Sequence, residues 1–305
     1  MTTPAQSEDL LGKTIHPATR MGVVHYTTAD LERQIEFYES ILGFKTHWRE
    51  GRSAGLGTGG EDLLWLTEVP GARRTYRTTG LYHTAFLVPT RRDLAHLLVR
   101  IAETRTPIQG MTDHGTHLAI YLPDAEGNGI ELAWDYPRER WPTSFEAMMR
   151  RNRALNTAEL VQALHDDPSP WDGPGPDTVV GHVHLHVAHI PPARQFYHEV
   201  LGFNLSFDLE NVSGGIAETV AFFNAGDYHH HIGANTWLGE GAPPPPENAI
   251  GLRYFTVVLP DQAALEPVLS RLEAAGIPTQ EVEQGILLRD PSSNGIVLTT
   301  ANGQG

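Results

Sequence analysis

The feature that most constrains the fold is an internal repeat, because the chain contains the same sequence pattern twice. Three stretches recur: 37–44 as 196–203, 80–83 as 251–254, and 128–132 as 294–298. Phe44, which ends the first stretch, recurs as Phe203, so the offset is 159 residues (203 − 44). A repeat of this length is typical of a duplicated domain, and each half must be interpreted against the other.

The two copies differ most clearly in residues that bind metals. The corresponding pairs are His83 and Tyr254, Glu131 and Val297, and Val23 and His182. Each copy therefore keeps metal-binding residue types that the other lacks. Imidazole and carboxylate groups are common ligands of divalent transition metals, so we expect the chemistry of this chain at the positions where they are kept.

The composition sets the class of protein. A chain of 305 residues with 40% hydrophobic residues is long enough for two ordinary globular domains. Its formal net charge of −15 argues against nucleic acid and anionic membranes as partners, because both need a basic surface. The absence of Cys excludes disulfides and thiolate ligands. Neither a signal peptide nor a run of about 18 apolar residues occurs, so we expect a cytoplasmic protein without a membrane span.

The apolar pattern divides the chain into four units that each read as a strand, a helix and three strands. We expect first strands at 23–28, 82–88, 182–187 and 253–258, followed by helices at 30–43, 91–104, 192–200 and 261–275. The later strands that bear on the site are expected at 117–122, 129–135, 204–209, 217–224 and 229–237. Asp30 is the predicted N-cap of the first helix.

The predicted organisation places two domains around a linker. An N-terminal arm covers 1–20, the first domain 21–140, the linker 141–178 and the second domain 179–302. Within the linker, 143–165 has a helical pattern and 168–177 is a stiff, Pro-rich connector.

These motifs resemble those of the vicinal oxygen chelate superfamily. The resemblance covers nearly all of residues 20–302, with an FYxxxLGF helix end, a Gly-Leu-Tyr-His strand and a following Asn-Gly-Ile-Glu strand. The second half, with its YHHHIGANTW stretch, is most similar to the two-domain catechol 2,3-dioxygenase branch. The resemblance implies an α+β fold of four βαβββ units in two domains that form half-barrel cups of sheet, with one divalent metal in a cup.

The same resemblance implies the chemistry. Extradiol dioxygenases of this family use two His and one carboxylate, usually on Fe(II), and Mn(II) is the alternative metal. The expected substrates are a small aromatic diol and O₂, and the expected assembly is a homo-oligomer. The sequence leaves the ring substituents, the native metal and the oligomeric state open.

Side-chain alternation along strands indicates which residues share a cup. Val183, Leu185 and Val187 form an apolar face, so His182 points the other way, and the same reasoning turns Glu131 and His83 toward a cup. The family's first ligand is expected 21 residues before the Phe of Leu-Gly-Phe. That position is His182 in the second half (203 − 21) and Val23 in the first (44 − 21).

Two ligand sets remain open at this point. The first is His83, Glu131 and His182, in one cup built from the second and third units. The alternative pairs the first and second units and uses His25 in place of His182.

Candidates for proton transfer follow from the same alternation. On the strand at 229–237, we expect His231 to face the cup as an acid–base group, with His230 packed against the helices. A bulge at 227–228 would exchange these faces, so His230 and His229 stay as alternatives. Tyr121 resembles the family's tyrosine that hydrogen-bonds the substrate oxygen, and His114 or His117 resembles its substrate-side histidine.

Three functions compete on this scaffold. An extradiol dioxygenase is the preferred interpretation. A glyoxalase-like, metal-dependent lyase or isomerase is an alternative, but such sites usually carry a second carboxylate where this chain has His231. A metal-free, drug-binding resistance protein is the third, and it would have no reason to keep His83, Glu131 and His182 together.

Overall fold

The computed structural model of the chain describes residues 13–206 and 215–301. Its helices are α1 (Leu31–Leu42), α2 (Arg91–Glu103), α3 (Phe145–Arg151), α4 (Thr157–Asp166), α5 (Ile190–Arg194, continued by a π-helical turn at Gln195–Val200) and α6 (Gln262–Ala274). Short 3₁₀ turns lie at Arg138–Arg140 and Ile216–Glu218. In the two described ranges, no helix has both the length and the apolar character needed to cross a membrane.

The strands form two sheets. The first contains β1 (Arg20–Thr28), β2 (Lys45–Glu50), β3 (Ser53–Gly57), β4 (Asp62–Glu68), β14 (Gly251–Leu259), β15 (Gln280–Val282), β16 (Gly285–Arg289) and β17 (Gly295–Thr300). The second contains β5 (Gly80–Leu87), β6 (Gly110–Asp113), β7 (His117–Pro123), β8 (Gly129–Asp135), β9 (Arg153–Ala154), β10 (Val179–His186), β11 (Asn204–Leu205), β12 (Val220–Asn224) and β13 (Ile232–Asn235).

Both sheets join the two halves of the sequence. The first sheet has the order β15-β16-β17-β14-β1-β4-β3-β2, and the second has the order β11-β12-β13-β10-β5-β8-β7-β6-β9. Antiparallel pairing of β1 with β14, and of β5 with β10, makes the junction in each sheet. The first and fourth units therefore share one sheet, and the second and third share the other. The predicted assembly of a cup from units two and three is confirmed by this topology.

The repeated Leu-Gly-Phe motif ends a helix in each half. In α1, Asp30 accepts a hydrogen bond from the Arg33 N–H as the predicted N-cap, and Gly43 takes the left-handed conformation (φ 71°) that stops the helix. Gly202 takes the same conformation (φ 88°) after α5. The left-handed turn needs glycine because a Cβ would be strained there, and the Phe that follows enters the core.

Several predicted elements differ from the structure. The strand expected at 229–237 is reduced to β13, because residues 225–231 form turns and bends. Of the strand expected at 204–209, β11 covers Asn204–Leu205, residue 206 is a bend, and 207–209 lie outside the described residues. Strand β6 was not predicted. The helical prediction for 143–165 is confirmed by α3 and α4, which the short strand β9 separates. Most of the arm expected at 1–20 lies outside the described residues.

Candidate metal centre

Three neighbouring strands of the second sheet each contribute one metal-binding side chain to the same face. His83 lies on β5, Glu131 on β8 and His182 on β10, and the strand order is β10-β5-β8. In register, Ala85 lies opposite both Glu131 and His182, so all four side chains project from one side of the sheet. The small Ala85 side chain leaves space above the central strand. We call His83, Glu131 and His182 the donor triad.

The donor atoms of the triad converge on one point. The Nε2 atoms of His83 and His182 are 3.3 Å apart, and each lies 3.1 Å from Oε2 of Glu131. All three residues are buried, and Glu131 has no exposed surface. Two ligands at right angles on an ion with bonds of about 2.1 Å would be about 3.0 Å apart, so the triangle has the size that one metal ion requires.

The donor set also fits a divalent metal chemically. Two imidazoles and one carboxylate on one face are the ligands of non-haem Fe(II) oxygenases, and they leave other coordination positions open. Burial alone would raise the pKa of Glu131, but the neighbouring His182 and hydrogen bonds from His117, His182 and His83 hold that pKa well below its usual value. A buried carboxylate held ionised beside two imidazoles is suited to a cation.

The triad opens into a pocket of about 340 Å³ between the sheet and α3. Tyr121 lies on β7 directly opposite Glu131, and its hydroxyl is 2.8 Å from Nε2 of His114. His117 lies 3.0 Å from Oε1 of Glu131, through its Nε2, and its Nδ1 is 2.8 Å from the Thr116 hydroxyl. The structure therefore gives different positions to His114 and His117, which the sequence left as alternatives. His114 contacts Tyr121 in the pocket, whereas His117 contacts Oε1 of Glu131, the carboxylate oxygen that does not face the other two triad residues.

The predicted orientations of His230 and His231 are wrong. His230 lines the pocket, and its ring centroid is 4.2 Å from that of His182. His231 instead accepts a hydrogen bond from the Ala225 N–H through Nδ1, and its ring lies 6.4 Å from that of Phe203 in the core. Strict alternation fails because residues 225–231 are not an extended strand. Burial, followed by the charges of neighbouring histidines, lowers the pKa of His230 well below its usual value.

His25, the alternative ligand, lies in the other sheet. It is on β1, where its Nε2 is 2.8 Å from the Thr67 hydroxyl and its ring packs edge-on against Tyr254 at 4.9 Å. Burial, together with the charge of Arg253, lowers its pKa to about 3. The ligand set that combined His25 with His83 and Glu131 is therefore wrong, since those two residues belong to the second sheet.

The structure adds pocket residues that the sequence reasoning did not select. One of them, His184, is buried in the pocket wall, and its Nε2 has no hydrogen-bond partner among the described residues. Its place on the same strand face as His182 was the signal that could have identified it. Met148, Phe222 and Trp237 also line the pocket. No periodicity in the sequence marks these three, because they come from α3, β12 and the turn after β13.

Comparison with known proteins places this geometry in a family. Residues 20–132 and 179–297 each match the Glyoxalase/Bleomycin resistance protein/Dioxygenase superfamily. The chain is 39% identical over 287 residues to a protein of Bacillus subtilis (strain 168) named Catechol-2,3-dioxygenase, covering 93% of this chain and 98% of that protein.

Solved structures share the fold at lower identity. A putative dioxygenase from Bacillus subtilis has a TM-score of 0.59 at 13% identity, over 94% of this chain and 86% of that one. Glyoxalase I from Zea mays has a TM-score of 0.57 at 18% identity, over 94% of each chain. Both likenesses concern the fold alone. Because the match covers both halves and a relative matches nearly the whole length, this chain belongs to the Glyoxalase/Bleomycin resistance protein/Dioxygenase superfamily.

Proposed function

We propose that this protein is an extradiol dioxygenase that cleaves catechol or a substituted catechol with O₂ at an Fe(II) site. The observation that carries the proposal is the convergence of His83, His182 and Glu131 within 3.1–3.3 Å of one another at the base of a pocket. The 39% identity to a protein named Catechol-2,3-dioxygenase supports the same reaction. Mn(II) is the alternative metal, since it accepts the same nitrogen and oxygen ligands.

The three triad side chains would bind one side of the metal ion. A bound Fe(II) ion would supply open coordination positions for the diol and O₂, together with the redox chemistry that amino-acid side chains lack. His117 holds Oε1 of Glu131 at 3.0 Å, which leaves Oε2 directed at the two triad imidazoles. A partner of this kind fixes the orientation of a ligating carboxylate.

Two groups in the pocket suit proton handling. His230 is buried in the pocket, and burial lowers its pKa and keeps the ring neutral. A neutral imidazole can accept a hydrogen bond from a diol hydroxyl, which is the contact that proton transfer requires. Tyr121 keeps its proton, because burial and then the nearby charge of Glu131 raise its pKa well above the usual value. Its hydroxyl is therefore a hydrogen-bond donor, and with His114 it forms a polar wall suited to hold a substrate oxygen.

The competing functions find less support. Glu131 is the only carboxylate among the residues that line the pocket in the described part of the chain, whereas a glyoxalase-like lyase or isomerase site usually carries a second one. A metal-free binding protein would not need a buried carboxylate enclosed by His83, His117 and His182, since such a group is costly to bury without a cation.

The proposal is tested by loading the protein with Fe(II) without oxygen, adding catechol and then admitting air. Extradiol cleavage gives a yellow muconic semialdehyde with stoichiometric O₂ consumption, read by absorbance and an oxygen electrode. Protein loaded with Mn(II) or left without metal provides the comparison. A colourless product, or catechol that persists despite a full complement of either metal, would refute the proposal.

A further inference from the structure

Among the described residues that line the pocket, only the histidines could carry a positive charge. Glu131 is the one acidic residue in its lining, and no Lys or Arg lines it in the described ranges. Residues 1–12, 207–214 and 302–305, which the structure does not describe, contain no Lys or Arg. Arg138, close to the pocket on Trp141, is already paired with Asp227 at 2.8 Å. Among the described residues, the pocket lining therefore offers no Lys or Arg to a charged group on a bound ring.

The pocket is larger than one aromatic ring. Its volume of about 340 Å³ is more than twice the roughly 150 Å³ of a dry cavity that holds benzene. The space beyond a diol ring at the triad is therefore enough for a substituent of similar size.

Large apolar side chains surround the imidazole of His184 in the wall and at the mouth of this extra space. Phe222 lies 5.8 Å from the ring of His184, on the side away from His83. At the mouth, Tyr82 and Trp237 pack edge to face at 5.3 Å, although 38% and 54% of their surfaces are exposed. Large apolar side chains that stay exposed together at a pocket mouth mark a surface that binds an apolar group.

We infer that the substrate of this site is a diol ring with an uncharged, apolar substituent that lies against Phe222, Tyr82 and Trp237, and that ring carboxylates are rejected. This inference rests on the proposed extradiol function. The physical reason is desolvation: a carboxylate in this space would lose water and gain no Lys or Arg. The polar group that Tyr82, Phe222 and Trp237 surround is the single imidazole of His184, which does not replace the water shell of a carboxylate. An alkyl or aryl substituent in the same position is removed from water, which is favourable for an apolar group.

The first test compares three catechols substituted at the same ring position: 4-tert-butylcatechol, 3,4-dihydroxybenzoate and its methyl ester. The ester withdraws electrons from the ring much as the acid does but carries no charge. We expect kcat/KM for the acid to be at least about a hundredfold below that of the other two, because an unpaired buried charge is costly. Binding of the same compounds to anaerobic, Fe(II)-loaded protein, measured by calorimetry, should follow the same order.

The outcomes of that comparison are distinct. Turnover and binding of the acid equal to those of its ester would overturn the inference and leave the dioxygenase function standing. Failure to cleave any of the three, and catechol itself, would reject the function on which the inference rests.

Variants locate the substituent. Trp237→Ala should lower kcat/KM for 4-tert-butylcatechol about tenfold more than for catechol, since it removes a large apolar contact. Leu238→Ala is the matched control, because Leu238 is the adjacent, partly exposed apolar residue and does not line the pocket. Met148→Arg, which places a guanidinium in the wall, should raise the binding of 3,4-dihydroxybenzoate selectively. Equal losses for both substrates in Trp237→Ala would contradict the proposed position of the substituent.

Discussion

At the scale of single residues, the donor triad depends on three side chains whose counterparts in the repeat are Tyr254, Val297 and Val23. His83→Ala, Glu131→Ala and His182→Ala should each lower bound Fe(II) well below one ion per chain, because affinity depends on all the ligands being present together. Metal analysis after desalting measures the bound Fe(II), and far-UV circular dichroism shows whether the variant is still folded. His25→Ala is the matched control, since His25 lies in the other sheet. Full metal occupancy in His182→Ala would reject the triad.

The adjacent histidines His230 and His231 should behave in opposite ways. His230→Phe is expected to retain metal and lose about 10²–10⁴-fold in kcat, the usual contribution of an acid–base group. His231→Phe should instead lower the melting temperature, because it removes the acceptor of the Ala225 N–H in the core. Steady-state kinetics and thermal unfolding of both variants separate the two roles. Loss of turnover in His231→Phe alone, with metal and stability intact, would restore the orientation expected from the sequence.

At the scale of elements, a turn with a buried Asp precedes the last strand of the second and fourth units. Asp124 accepts hydrogen bonds from the Asn128 backbone and side chain and from Gln34 on α1. The turn therefore ties α1 of the first unit to β8, the strand that carries Glu131. Asp290 repeats the arrangement with Asn294 before β17, which carries no triad residue.

This pair of turns gives a matched prediction. Asp124→Ala and Asp290→Ala should each lower the free energy of unfolding by about 3 kcal/mol, because several buried donors lose their acceptor. Urea denaturation measures that loss. Only Asp124→Ala should also weaken Fe(II) binding, since only its turn leads into β8. Equal metal affinity in the two variants would show that the turn does not position Glu131.

Whether a side-chain orientation could be predicted from the sequence depended on the regularity of the secondary-structure element that carries it. The faces of β5, β8 and β10 followed from alternation because these strands are regular and their apolar residues pack against one layer. Alternation failed at His231 because residues 225–231, between β12 and β13, form turns and bends, with a left-handed φ of 60° at Gly226. Strand β6, with the sequence Gly-Met-Thr-Asp, offers too few β-branched or aromatic residues to be recognised. The aromatic contact between Tyr82 and Trp237 joins distant segments, which no local pattern encodes.

At the scale of the whole molecule, the complementary losses in the two halves are explained by the sheet topology. Each sheet takes one unit from each half, so a metal site on one sheet can draw ligands from both. Val297 and Tyr254 lie on the neighbouring strands β17 and β14 of the first sheet, where no triad forms among the described residues. The pairing of units could be deduced from the sequence because the retained ligands were divided between units two and three.

This topology predicts that neither half is sufficient alone. A fragment of residues 1–178 contains His83 and Glu131 but lacks His182, and it lacks the partners of β1 and β5 at the two antiparallel junctions. Unpaired strand edges favour association with other chains, so we expect this fragment to aggregate or self-associate. Because it lacks His182, we also expect it to bind no stoichiometric Fe(II). Co-expression with residues 179–305 should restore both the sheets and the metal, as measured by size-exclusion chromatography with light scattering and by metal analysis. A monomeric 1–178 fragment holding one Fe(II) per chain would be incompatible with a site shared between the halves.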